Sequence, residues 1–172
     1  ETWLTNCLLR EDFRPYEYRQ TLGGVVRVLD NEARFRVLQQ ISKPYGLDEL
    51  VILLVGRDTQ LYRRLLTLEQ LKPYHLTPLT GLPDEAWIEQ AKVASETGYS
   101  ADKIAQAVHG DSVSWSGNES ELWKTWVQRW EPLCSHEDAI IRKVAHIGKA
   151  YSENQFKRAV HKEYIESVYG RE

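Results

Sequence analysis

Residues 118–151 read NESELWKTWVQRWEPLCSHEDAIIRKVAHIGKAY, and this stretch decides the fold. Leu122, Trp123, Trp126, Val127, Trp130 and Leu133 recur at i, i+1, i+4, i+5, i+8 and i+11, so they share one continuous helical face. Asn118 and Glu121 have the spacing of a capping box, with Asn in place of the usual Ser or Thr, which sets the start of this helix. After a short acidic corner, Ser135 and Asp138 start a second helix. On it Ile140, Val144, Ile147 and Tyr151 form one ridge and Ile141, Ala145 and Gly148 the adjacent one, so that face is expected to be buried. The two helices read as an antiparallel hairpin in which Gly148 admits the close approach of a neighbour. Three tryptophans on one helical face are read as core rather than as an aromatic cage for a cation.

Working outward, Ser152 and Gln155 repeat the capping-box spacing and predict a separate helix from Phe156 to Tyr169. Ala159, Val160, Tyr164, Ile165, Val168 and Tyr169 are expected to continue the inward pattern there. Upstream, Asp84 caps a helix over Glu85–Thr97 whose inward residues are Trp87, Ile88, Ala91 and Ala94, and Gly98 takes the left-handed position after it. Ser100 caps a short helix from Ala101 to Val108 that Gly110 stops, and Asp111–Gly117 read as loop. Asp30 caps a helix to about Lys43, which Pro44 and Gly46 end. Asp48 opens a helix from Glu49 to Val55 that is apolar nearly all round. Leu61, Leu65 and Leu68 then mark an amphipathic segment reaching Leu71. Near the start, Phe13, Tyr16 and Tyr18 around Pro15 are expected to pack a first element onto the body. Gly23-Gly24 followed by Val25, Val26 and Val28 is read as a helix end and restart, because no strand of similar quality exists to pair with it.

Asp138 through Gly148 carry a resemblance. An acidic corner, a branched aliphatic followed by Arg142, Ala145 three residues later and Gly148 three beyond that resemble the second helix of a HEAT or armadillo-type repeat. The resemblance implies that Asp138 caps the corner and that Arg142 braces neighbouring units. The preceding segment contains Pro132, as HEAT first helices often do, although it lies closer to the corner here. The fold class is therefore all-α, built of antiparallel helical hairpins, arranged either as a HEAT-like superhelix or as an irregular helical bundle. The expected organisation is one helical domain over 1–172, divisible into lobes 1–71 and 84–172 joined by the loop 72–83, where Pro73, Pro78, Gly81 and Pro83 cluster.

A second likeness lies at residues 93–105, VASETGYSADKIA. Ala94 four residues before Gly98, with Tyr99, Ser100 and Ile104 following, is the spacing of a helix-turn-helix. A DNA-binding version would present Ser100, Ala101, Lys103 and Gln106 to the groove. Asp102 within that helix and the absence of Arg from Asp84 to Gly110 weigh against it, and any tight helical corner uses the same residues.

Composition bounds what remains. With 42% hydrophobic and 27% charged residues, the chain matches an ordinary globular protein, and its net charge of −3 announces no polyanionic partner. Its longest apolar run, Leu50–Gly56, is far shorter than a membrane span. Two cysteines, Cys7 and Cys134, make no disulfide framework, so a cytoplasmic setting is expected. The chain starts at Glu1 and has no Met, from which we expect a piece of a longer polypeptide. Cys134, His136, His146 and His161 lack the paired spacing of a metal site, and no phosphate loop follows the glycines, so neither metal nor cofactor is expected. The Arg142, His146 and Lys149 stripe, opposite the buried ridge, is the expected partner-binding surface. It is read as that of a non-enzymatic scaffold module binding a protein or peptide along a helical groove. The alternatives are a DNA-binding regulator using Ser100, Lys103 and Gln106, and a helical regulatory part of a multidomain enzyme.

Overall fold

The computed structural model describes residues 19–41, 47–81, 83–108 and 117–170; the expectations for Phe13, Tyr16, Tyr18, Pro44, Gly46 and Gly110 lie outside them, as does nearly all of the 111–117 loop. The protein is all-α, with no strand among the described residues. Contacts divide it into two compact units, Glu1–Pro78 and Leu79–Glu172, each with its own core.

In the first unit, α1 (Arg19–Arg27) runs straight through Gly23 and Gly24, so the helix does not end at that pair. It closes instead one turn later, where Val28 and Leu29 donate to the carbonyls of Val25 and Val26. Asp30 then caps α2 (Asn31–Gln40), its carboxylate accepting the Ala33 amide at 2.7 Å. Next, α3 (Leu47–Val55) begins one residue before Asp48. Asp48 therefore sits inside the first turn, where its carboxylate accepts the Thr77 hydroxyl at 3.2 Å. α4 (Thr59–Leu65) is capped by Asp58 and is shorter than the leucine spacing suggests. Two 3-10 turns, Glu69–Tyr74 and Thr77–Leu79, occupy much of the Pro-rich segment. Val37, Leu38, Val51, Leu54, Leu61, Tyr62, Leu65 and Leu71 are almost wholly buried, and this core is what holds four short helices that would not persist alone.

The second unit comprises α5 (Glu85–Glu96), α6 (Ala101–Val108), α7 (Glu119–Trp130) and α8 (Ala139–Tyr169). The corner between α5 and α6 is closed mainly by backbone bonds. Gly98, at φ +97°, donates to the Ser95 carbonyl while Tyr99 donates to that of Ala94. This is a Schellman C-cap, and a side chain at Gly98 would be strained. α5, α6 and α7 all pack on α8. Trp87, Trp126 and Trp130 are buried, and the Trp87 and Trp130 rings meet edge to face at 5.6 Å. The tryptophans of the hairpin are thus core, with Trp123 half-buried against Tyr151 at 5.7 Å.

α8 overturns one expectation about the hairpin. It is a single helix of 31 residues, about 46 Å long, with no break at Ser152. The Ser152 hydroxyl donates to the Gly148 carbonyl at 2.8 Å within the same helix, so it caps nothing. Ser152 belongs to a buried row, with Ile141, Ala145, Gly148 and Ala159, whose small members let α7 approach closely. At Gly148 the fit is tight: a Cβ there would stand 2.9 Å from Trp130 Cδ2 and nearer still to Cε2 and Cζ2.

Candidate interaction surface

The geometry of α8 follows from how its two ends are held. Asp138 caps the N-terminus, accepting the amides of Ile140 at 2.8 Å and Ile141 at 3.2 Å. The Ile141 amide foremost, then that of Ile140, holds its carboxyl below the ordinary value. Arg142 donates through Nη1 to the carbonyls of His136 and Glu137, both at 2.7 Å, and so ties α8 to its own corner. Lys149 pairs with Glu131 at 2.8 Å, across from α7, and with Glu153 at 3.8 Å along α8. The hydrogen bond it donates to Glu131 pushes the Lys149 ammonium up from its usual range. His146 is exposed. Of the stripe read from the sequence, two members are therefore engaged with neighbours and one faces solvent.

The far contact is one the sequence did not announce. The Asn118 side chain makes no capping bond to α7. The helix start is served instead by Glu163 of α8, whose carboxylate accepts the Ser120 amide at 2.8 Å and the Ser120 hydroxyl at 2.6 Å. These bonds, the hydroxyl first, hold the Glu163 carboxyl below its ordinary value. Beside it, Lys162 pairs with Glu119 at 3.1 Å. A carboxylate at a helix N-terminus meets amides that would otherwise lack partners and the positive end of the helix dipole.

Glu131 against Lys149 at one end and Glu119–Ser120 against Lys162–Glu163 at the other fix the register of the hairpin. α7 is 12 residues long and reaches α8 only as far as Glu163. The last turns of α8 extend beyond it. On this part Val160 is 45% exposed, Tyr164 63%, Ile165 40%, Val168 52% and Tyr169 78%. These are the residues expected to continue the buried face; only Ala159 does so. Val160, Tyr164 and Val168 stand at i, i+4 and i+8, and Ile165 and Tyr169 form a second row beside them. By the same helical spacing, Arg142, His146 and Lys149 lie on the side of α8 that continues into Val160 and Tyr164. That side is polar near the corner and apolar toward the end, where Ile165 and Tyr169, in line with Ile147 and Tyr151, widen it.

Elsewhere the groups read from the sequence do not assemble. Ser100, Lys103 and Gln106 are exposed on α6, but Ala101, expected beside them, is buried, and the exposed Glu96 and Asp102 flank the cation. Ser100 Oγ accepts the Lys103 amide at 3.4 Å, as a cap. Among the described residues no cluster of His, Cys, Asp or Glu could hold a metal ion, and no helix is long and apolar enough to cross a membrane. Burial pushes the half-buried Cys134 thiol up, away from thiolate reactivity.

No protein-family model matches the chain, and no curated protein or solved structure matches it either.

Proposed function

We propose that this chain is a non-enzymatic, HEAT-like interaction module of a larger cytoplasmic protein and that it binds a protein or peptide along the outward side of α8. The observation that carries the reading is the group of Val160, Tyr164, Ile165, Val168 and Tyr169, large apolar side chains left in solvent on a helix whose opposite face is buried. Scattered apolar side chains are common on protein surfaces, but a contiguous patch on one helix face marks a site of contact. Tyrosine adds large contact area at little entropic cost and concentrates binding energy. Arg142, His146 and Lys149 supply the polar rim toward the corner, where rim charges set orientation more than affinity.

The test is quantitative co-purification from source cells with the tagged protein, comparing it with a Val160→Ser, Tyr164→Ser, Val168→Ser variant. The variant should keep its helical circular dichroism and lose the partners that the unchanged chain retains. Partners retained in full by the folded variant would refute the assignment. A charge reversal at Arg142 and Lys149 should weaken the same partners more modestly.

A further inference from the structure

We infer that the occupant of the α8 surface is an acidic amphipathic helix of another protein, laid along residues 157–169. This rests on the interaction reading above and adds the chemistry of the partner.

The charges near the apolar rows are of one sign. Lys157, Arg158, His161 and Lys162 are all exposed on this stretch. The two carboxylates within it lie elsewhere: Glu163 is bound to Ser120 beneath the helix, and Glu166 is half-buried on the side that continues the Ala159 row. Glu153, one turn before, is paired with Lys149. Lys162 is partly neutralised by Glu119, which leaves Lys157 and Arg158 as the cations beside the apolar side chains, with His161 exposed among them as a polar group.

Three occupants compete for such a face. A second copy of this chain would bring the same cations against themselves, since a two-fold contact is self-complementary, and like charges across an interface are costly. A membrane surface requires the basic residues to lie apart from a broad apolar face, with the apolar side buried below the headgroups. Here Lys157 lies within the Val160–Tyr164–Val168 row, Arg158 within the Ile165–Tyr169 row and His161 between them, so immersing the apolar side chains would drag charges with them. An acidic helix meets both demands, placing apolar anchors over the two rows while its carboxylates reach the interleaved cations. The stretch of 13 residues is about 20 Å long, enough for three to four turns of partner helix. The exposed apolar side chains make a patch on the order of 500 Å², the size that marks contact sites on protein surfaces.

The experiment uses the whole chain. A displayed library of random 16-residue peptides is selected on it, and an enriched peptide, fluorescently labelled, is titrated by anisotropy against the unchanged chain and against Tyr164→Ala, Tyr169→Ala and the double charge reversal Lys157→Glu, Arg158→Glu. Alanine and glutamate are good helix formers, and circular dichroism verifies that α8 persists. The inference expects enriched sequences with apolar residues at i, i+3 or i+4, and i+7 flanked by Asp and Glu. It also expects at least tenfold weaker binding to each variant and affinity that falls as salt rises. Neutral or basic enriched peptides that still require Tyr164 would overturn the acidic partner while leaving the interaction surface standing. Peptides indifferent to both tyrosines, or no enrichment at all, would overturn the partner and the surface together. Sedimentation with vesicles containing 30 mol% phosphatidylserine, in competition with the peptide, would point to a membrane instead. A concentration-dependent dimer abolished by Tyr169→Ala would point to a second copy. Either outcome overturns the inference.

Discussion

Replacing Gly148 by Ala tests the packing on which the hairpin depends, because the sign of the effect is set by one contact. In an open helical position this change stabilises by about 1 kcal/mol, since Gly carries the larger conformational cost. At Gly148 the new Cβ would lie 2.5 to 2.9 Å from Trp130 Cζ2 and Cδ2, about 1 Å inside ordinary contact. The indole cannot swing aside cheaply. Trp130 is fully buried and its ring abuts that of Trp87 at 5.6 Å. Overpacking of this kind costs about 1–3 kcal/mol, and taking the middle to upper part of that range and subtracting the propensity gain leaves a net loss of about 1–2 kcal/mol. For a unit of this size, that lowers the melting temperature by about 5–15 °C. Gly23 and Gly24 in α1 supply the control, because a Cβ at either meets nothing within 4 Å. Gly23→Ala and Gly24→Ala should each stabilise by about 0.5–1 kcal/mol. Thermal and urea unfolding of the three variants, with a Gly148→Ala, Trp130→Leu double mutant, measure all of this. The double mutant should recover at least about 1 kcal/mol relative to additivity, because the Cβ then enters space the indole has left. A stabilising Gly148→Ala, or strict additivity with Trp130→Leu, would refute the reasoning.

Glu163→Gln should loosen the start of α7, seen as faster amide exchange at Ser120 and a lower melting temperature for the second unit. The Glu163 carboxyl is held below its ordinary value of 4.5, so its contribution is fully present above pH 4.5 and is lost as pH falls through the lower folded value; the Gln variant should lose that part of the acid dependence. In the first unit, burial pushes the His75 imidazole below its ordinary 6.5, its Nε2 donating to the Leu68 carbonyl at 2.6 Å. Stability of that unit should therefore be complete above pH 6.5 and decline as pH falls from 6.5 through the folded value, which a titration followed by imidazole NMR and urea unfolding would show. Gly98→Ala should cost about 1–2 kcal/mol by forcing a side chain into positive φ. A gel shift at low salt should find no duplex retained by Ser100, Lys103 and Gln106; a retained duplex released by Lys103→Ala would revive the DNA-binding reading.

The helical class was legible because apolar residues recur at helical spacing, and the caps Asp30, Asp84 and Asp138 mark helix starts by local chemistry that acts within three residues. The tryptophans were legible as core for the same reason. The surface was not. Ser152 followed by Gln155 has the form of a helix start, and reading it as one resets the register, so Val160, Tyr164 and Val168 fall onto an inward face. Kept in the register of Ile141, Ala145, Gly148 and Ser152, the same residues turn outward. A serine whose hydroxyl bonds the carbonyl four residues back differs from a capping serine only in its backbone, which sequence does not display. The Glu163 clamp was hidden because it joins residues 43 apart in the chain, and no local rule reaches that far. The repeat resemblance has Arg142 brace neighbouring units, whereas the carbonyls its Nη1 holds are those of His136 and Glu137 in its own corner.

The most direct test of the outward face of α8 as the binding surface is photo-crosslinking in source cells from a benzoyl-phenylalanine placed at Tyr164, with the same group at Lys103 on α6 as reference. The account predicts a discrete protein adduct from position 164 that the same face yields again from position 168 and that position 103 does not give. Adducts from position 103 alone, or none from 164 and 168 in a folded, expressed protein, would contradict it.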